Sequence, residues 1–212
     1  MVPSARPSPN HIVEAIHDEL TRLRVRRLRA LAGYLALMAA VVTLLAISPR
    51  KMPGLVRDTA WMAELGLFFL GNAIAASLAV GVPLVSRGRA YALGVLSAAL
   101  IVGGLAGVID WSAPVEWAFG PGMKCFVYGT LLTTVAMTAL GVLSARLWRR
   151  FPNPSFFVAV ATSAIGIIAL HVACGAQDVV HIFGFHLTPG FVAFGFASAL
   201  ERARLKLDQA GL

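Results

Sequence analysis

Residues 155–186 read SFFVAVATSAIGIIALHVACGAQDVVHIFGFH. From Ser155 to Cys174 the stretch carries no Asp, Glu, Lys or Arg. Its length is close to the roughly 20 residues that an α-helix needs to cross a bilayer. Cys174 closes the stretch, and His181 and His186 follow within the next twelve residues. Read as a membrane span, this segment fixes the class of the chain, since the same pattern recurs at 31–48, 62–84, 90–109, 124–145 and 185–200. The expected fold is therefore an all-α membrane protein, a six-helix transmembrane bundle.

Composition agrees with that class. The chain is 58% apolar and 13% charged, with a mean hydropathy of +0.78, which is too oily for a soluble domain of 212 residues. Its formal charge of +8 would suggest nucleic acid as a partner in a soluble protein. Here the basic residues fall between apolar runs, where they orient helices, and no direct nucleic-acid contact is expected. Arg6, Arg22, Arg24, Arg26, Arg27, Arg29, Arg87, Arg89, Arg146, Arg149, Arg150, Arg202, Arg204 and Lys206 share one side of the expected topology. Only Arg50, Lys51, Arg57 and Lys124 share the other. By the positive-inside rule both termini are cytoplasmic. The first apolar run is expected to remain as an anchor, because the long acidic and basic leader ahead of it is unlike a signal peptide.

Ahead of the first span stands HIVEAIHDELTRLRVRRLRAL, residues 11–31. Val13, Ile16, Leu20 and Leu23 recur at spacings of three and four, with Glu14, Asp18, Glu19, Arg22 and Arg26 on the opposite face. That is the pattern of an amphipathic helix. It can lie on anionic lipid through its arginines, or dock its stripe in a groove of a cytoplasmic partner. Residues 1–10, MVPSARPSPN, read as a disordered leader. The expected organisation is a cytoplasmic tail over 1–29, the bundle over 30–201 and a short cytoplasmic tail over 202–212.

Within the spans, Gly103 and Gly107 suggest a small-residue packing face. Thr130, Thr134 and Thr138 suggest hydroxyls bonding nearby carbonyls, and Asn72 suggests a hydrogen bond between helices. Glu64, Asp110, Glu116, Asp178 and Lys124 all fall at or beyond helix ends. An ion-coupled transporter needs ionisable groups at the bilayer centre, so this class is disfavoured. No Ser-His-Asp order, HExxH or phosphate-binding glycine loop is present in the sequence, and no enzymatic activity is expected.

Opposite helix directions bring Cys125 and Cys174 to one membrane boundary, the outer one. Three readings are open for them: packed apolar residues, a reversible disulfide, or thiols that bind soft metal with help from histidine. His171 shares a helical face with Cys174 and is the expected third ligand, whereas His181 and His186 are expected to be bystanders. No resident cofactor is otherwise expected.

The segments HIVEAIHDEL and RRLRAL, then SPRKMPGLVRDTAWMAELGLFF, GPGMKC and LHVACGAQDVVHIFGFH, occur in the order and spacing of a known family. Over residues 11–205 the chain resembles the six-helix membrane anti-sigma factors that include the negative regulator of sigma-F. The resemblance implies a bacterial inner-membrane protein whose cytoplasmic tail holds an extracytoplasmic-function sigma factor inactive. It further implies that stress perceived through Cys125 and Cys174 releases that partner. In many relatives the second cysteine directly follows a histidine and precedes a proline; here Val172 and Ala173 intervene and Gly175 follows. A small transporter, or a redox or metal-binding membrane protein using the Cys/His rim, is the alternative expectation. The oligomeric state is not readable from the sequence.

Overall fold

The computed structural model describes residues 9–47, 59–81, 86–113, 119–144, 154–176 and 178–209. Residues 1–8 of the leader, the basic residues Arg50, Lys51, Arg57, Arg146, Arg149 and Arg150, and Glu116 lie outside the described residues, whereas Pro9 and Asn10 already belong to the first helix. The elements are α1 (Pro9–Ile47), α2 (Thr59–Ala79), α3 (Arg87–Val108), α4 (Phe119–Ser144), α5 (Pro154–Ala173), the single turn α6 (Val179–His181), a π-helical segment (Ile182–Leu187) and α7 (Thr188–Gln209). No strand occurs among the described residues. Among the described residues six helical stretches are long and apolar enough to cross a membrane, which makes this a multi-pass membrane protein.

The centre of the bundle is α5, whose span is 78% buried, against 39% or less for every other span. Its sequence explains the position. Apolar and small residues occupy its whole circumference, and a helix that is hydrophobic all round belongs inside. It packs against α2, α4 and α7 and also touches α1 and α3.

Lipid tails are as apolar as leucine, so these helices associate through close packing and buried hydrogen bonds. On α1 the inward stripe is Ala30, Tyr34, Met38 and Val42. Tyr34 donates its hydroxyl to the Ala161 carbonyl of α5 at 2.7 Å. Asn72 of α2 donates to the same carbonyl at 2.6 Å and to Tyr34 Oη at 3.2 Å. The expected interhelical role of Asn72 is thus realised as a knot joining α1, α2 and α5.

Gly71 and Gly166 let helix backbones approach closely. A Cβ on Gly71 would sit 2.9 Å from the Ser97 carbonyl of α3, and Ser97 Oγ donates back to the Gly71 carbonyl at 2.6 Å. A Cβ on Gly166 would sit 2.9 Å from the Gly129 carbonyl, so α5 and α4 touch backbone to backbone. The small-residue face expected at Gly103 and Gly107 holds at Gly107, where a Cβ would sit 3.2 Å from the Glu64 side chain of α2, and needs correction at Gly103. Gly103 has open space where a side chain would go, while its neighbour Gly104 receives the Phe68 ring. Thr134 and Thr138 donate to the carbonyls of Thr130 and Thr134 in their own helix.

Two boundaries also differ from expectation. The amphipathic segment and the first span form one unbroken 39-residue helix, and the last span opens at Val179, not near residue 185. The first sets where the tail points, and the second moves His181 from a loop into the span that already held His186.

Candidate metal centre

Alternating helix directions gather the start of α2, the start of α4, the end of α5 and the start of the last span at one end of the bundle. Cys125 lies on the inward stripe of α4 that continues through Gly129, Thr133 and Ala136. Cys174 follows the last residue of α5 and keeps the helical bond from its amide to the Leu170 carbonyl. Because α4 and α5 touch at Gly129 and Gly166, their ends stay close as well. Cys125 Sγ and Cys174 Sγ are 3.5 Å apart, and both residues are buried with Leu170 and Phe185.

The next ligand comes from the turn after α5. Asp178 caps α6 by accepting the His181 amide at 2.8 Å. This cap turns the His181 ring back over the thiols, with Nε2 3.5 Å from Cys174 Sγ. Asp178 therefore acts through the backbone.

The fourth residue arrives through a change of helical register. In an α-helix of 3.6 residues per turn, positions five apart point about 140° away from each other. A π-turn closes its hydrogen bonds five residues apart, so such positions nearly stack. The segment Ile182–Leu187 is π-helical, and the rings of His181 and His186 lie 5.1 Å apart. Pro189 supplies a local cause. It has no N–H for the Phe185 carbonyl and its ring crowds that carbonyl, which disfavours the regular α register just ahead of it. With the wider turn, Phe185 covers Gly122 at the start of α4 and His186 turns inward, while Phe183 and Gly184 face out.

Cys125, Cys174, His181 and His186 thus converge, all four buried, with one donor atom from each within 4.8 Å of all the others. The hydrogen bond from Cys125, followed by contacts from the two histidines, holds the Cys174 thiol below its usual range. His186 Nε2 is buried with no hydrogen-bond partner. This donor set fits a soft metal ion.

His171, expected as the third ligand, is placed elsewhere. Although it is three residues before Cys174, its ring stacks on Trp61 at 5.2 Å and meets the Phe68 edge at 5.2 Å. Its Nε2 lies 3.4 Å from the Trp61 carbonyl and 3.7 Å from Glu64 Oε2. It joins α5 to α2. His181 and His186, expected as bystanders, stand in its place. The signal that points to them is the five-residue spacing followed three positions later by Pro189.

The expected partner-binding residues lie far from this centre. Val13, Ile16 and Leu20 are exposed on α1 and Leu23 is half-buried. No family model matches the chain, and no curated protein or solved structure matches it.

Proposed function

We propose that this protein is a bacterial inner-membrane anti-sigma factor with both termini in the cytoplasm. Its N-terminal helix sequesters an extracytoplasmic-function sigma factor. The observation that carries this reading is the exposure of Val13, Ile16 and Leu20, at 66%, 55% and 57%, on a helix continuous with the first span. At 1.5 Å per residue α1 is about 58 Å long, whereas the hydrocarbon core is about 30 Å thick. Several turns therefore extend past the membrane and carry the apolar stripe with them.

The basic-residue asymmetry supports an inward tail and an outward thiol pair. The packing of α1 on α4 and α5 gives an event at the thiols a physical route to the tail. In this mechanism the protein performs no catalysis, and release of the partner is a shift between two packings of the bundle.

The test is co-purification of the partner with full-length protein carrying Ile16→Glu and Leu20→Glu. Placing carboxylates in an apolar groove costs several kcal/mol, so the sigma factor should be lost and its regulon induced while membrane insertion persists. Undiminished capture by the double variant would overturn the proposal. A second reading, a metal-binding or metal-transporting membrane protein, is favoured by the buried Cys/His group. Zinc uptake by proteoliposomes containing this chain alone would establish it.

A further inference from the structure

We infer that Cys125, Cys174, His181 and His186 form a closed four-ligand site for a soft divalent cation of the zinc class, assembled by the π-turn of the last span. The inference is independent of the sigma-factor reading.

The argument begins with distance. For metal–sulfur and metal–nitrogen bonds of about 2.3 and 2.0–2.1 Å, the edges of a tetrahedron are roughly 3.3–3.8 Å. The sulfur–sulfur separation of 3.5 Å and the sulfur–nitrogen separation of 3.5 Å fall within that range. The remaining donor pairs lie within 4.8 Å, about 1 Å from it.

Ligand type and charge then select the ion. Two sulfurs and two imidazoles suit zinc-like metals and not magnesium or calcium, which want oxygen. Two thiolates neutralise a divalent ion, and two neutral imidazoles leave the sum at zero. A net-neutral centre is the form that a buried, low-dielectric site at a membrane boundary tolerates.

Two observations besides the clustering point to an occupant. His186 Nε2 is 98% buried by residue, with no hydrogen-bond partner, a position that metal ligation would satisfy. The helix also departs from α geometry at the segment where doing so brings the His181 and His186 rings together edge to face, 5.1 Å apart. Such π-bulges occur frequently at functional sites. With four protein ligands there is no open coordination position, so the ion is structural. It clasps α4, the end of α5 and the last span together.

The test uses the full chain in detergent, reduced and stripped of metal, titrated with Co²⁺ as the probe. One equivalent should bind with the intense visible bands of tetrahedral cobalt and a thiolate-to-cobalt charge-transfer band, and Zn²⁺ should bleach both. Cys125→Ser also removes a packed group, so the deciding comparison is His186→Gln against His171→Gln. With helical content unchanged in both, His186→Gln should weaken binding by about 10–100-fold or more, and His171→Gln should leave it unaltered. The weak spectrum of six-coordinate hydrated cobalt would overturn the assignment. So would equal affinity in the His186→Gln and unmodified proteins, or a loss of affinity in the His171→Gln protein as large as that in His186→Gln.

Discussion

Cys125 Sγ lies 3.5 Å from Cys174 Sγ across 49 positions of sequence, and the contact is set by helix packing about one turn along α4 and two along α5, where Gly129 and Gly166 meet. A disulfide requires the sulfurs to approach to about 2.05 Å, a closure of roughly 1.5 Å. Both thiols and any bound metal therefore draw on the same two atoms.

Oxidation and metal should accordingly exclude one another. A mild oxidant such as a disulfide reagent, taking two electrons and two protons from the pair, should produce an intramolecular Cys125–Cys174 bridge in metal-free protein. Non-reducing electrophoresis and mass measurement should show it. Prior loading with Zn²⁺ should slow the reaction markedly, and Cys125→Ser or Cys174→Ser should each abolish it.

Proton competition gives the metal site a predictable pH response. Ligation needs deprotonated thiols and neutral imidazoles, so binding releases protons. Lowering the pH from about 7 to about 5 passes through the ordinary histidine range and should weaken Co²⁺ binding. Affinity that stays flat across this interval would exclude histidine ligation.

The backbone contact makes a prediction about glycine. Gly166→Val should push α5 off α4, lower the melting temperature and separate the thiols. Gly103→Val, facing open space, should be close to neutral. The contrast is read by thermal unfolding in detergent and by the yield of the oxidised bridge.

Asn72→Ala should destabilise the bundle by about 0.6–1.7 kcal/mol, between the average and the largest values measured for hydrogen bonds between membrane helices. Tyr34→Phe should cost less, because Asn72 still reaches the Ala161 carbonyl. Combining the two should be non-additive, since both act on one acceptor.

Reporter fusions after Trp111 and after Ala176 should read as external, and fusions at Arg89 and after Leu205 as cytoplasmic. Any one reversal would place the thiols on a different side from that proposed. The fusion point at Ala176 is chosen because residues 179–199 form the last span.

Much of this architecture was legible in the sequence for simple reasons. The length and apolarity of a span are local properties, so the six runs could be counted without knowing their neighbours. Asn72 stood out because lipid offers an amide no partner. The ligand set was harder, since it depends on helical phase. His171 and Cys174 share a face by α-helical spacing, yet that face straddles two neighbours: the His171 ring meets Trp61 and Phe68 of α2, and Cys174 Sγ meets Cys125 of α4. His181 and His186 lie on different faces under α rules and meet only in the widened turn. Gly103 and Gly104 differ by one position, and which of them receives Phe68 is decided by the rotation of α3 against α2, which no local pattern records.

The widened turn ahead of Pro189 holds one residue more than an α-helix would. Gly184, exposed and with open space where a side chain would go, is the natural residue to remove. Shortening the chain there would leave every donor chemically intact while rotating His181 by roughly 100° relative to everything after it, the angle of one α-helical residue. Replacing Pro189 by alanine would relax the same gearing more gently. The centre is thus sensitive to chain length as well as to side-chain identity, and a single-residue deletion that touches no ligand should disable it as thoroughly as the loss of a histidine.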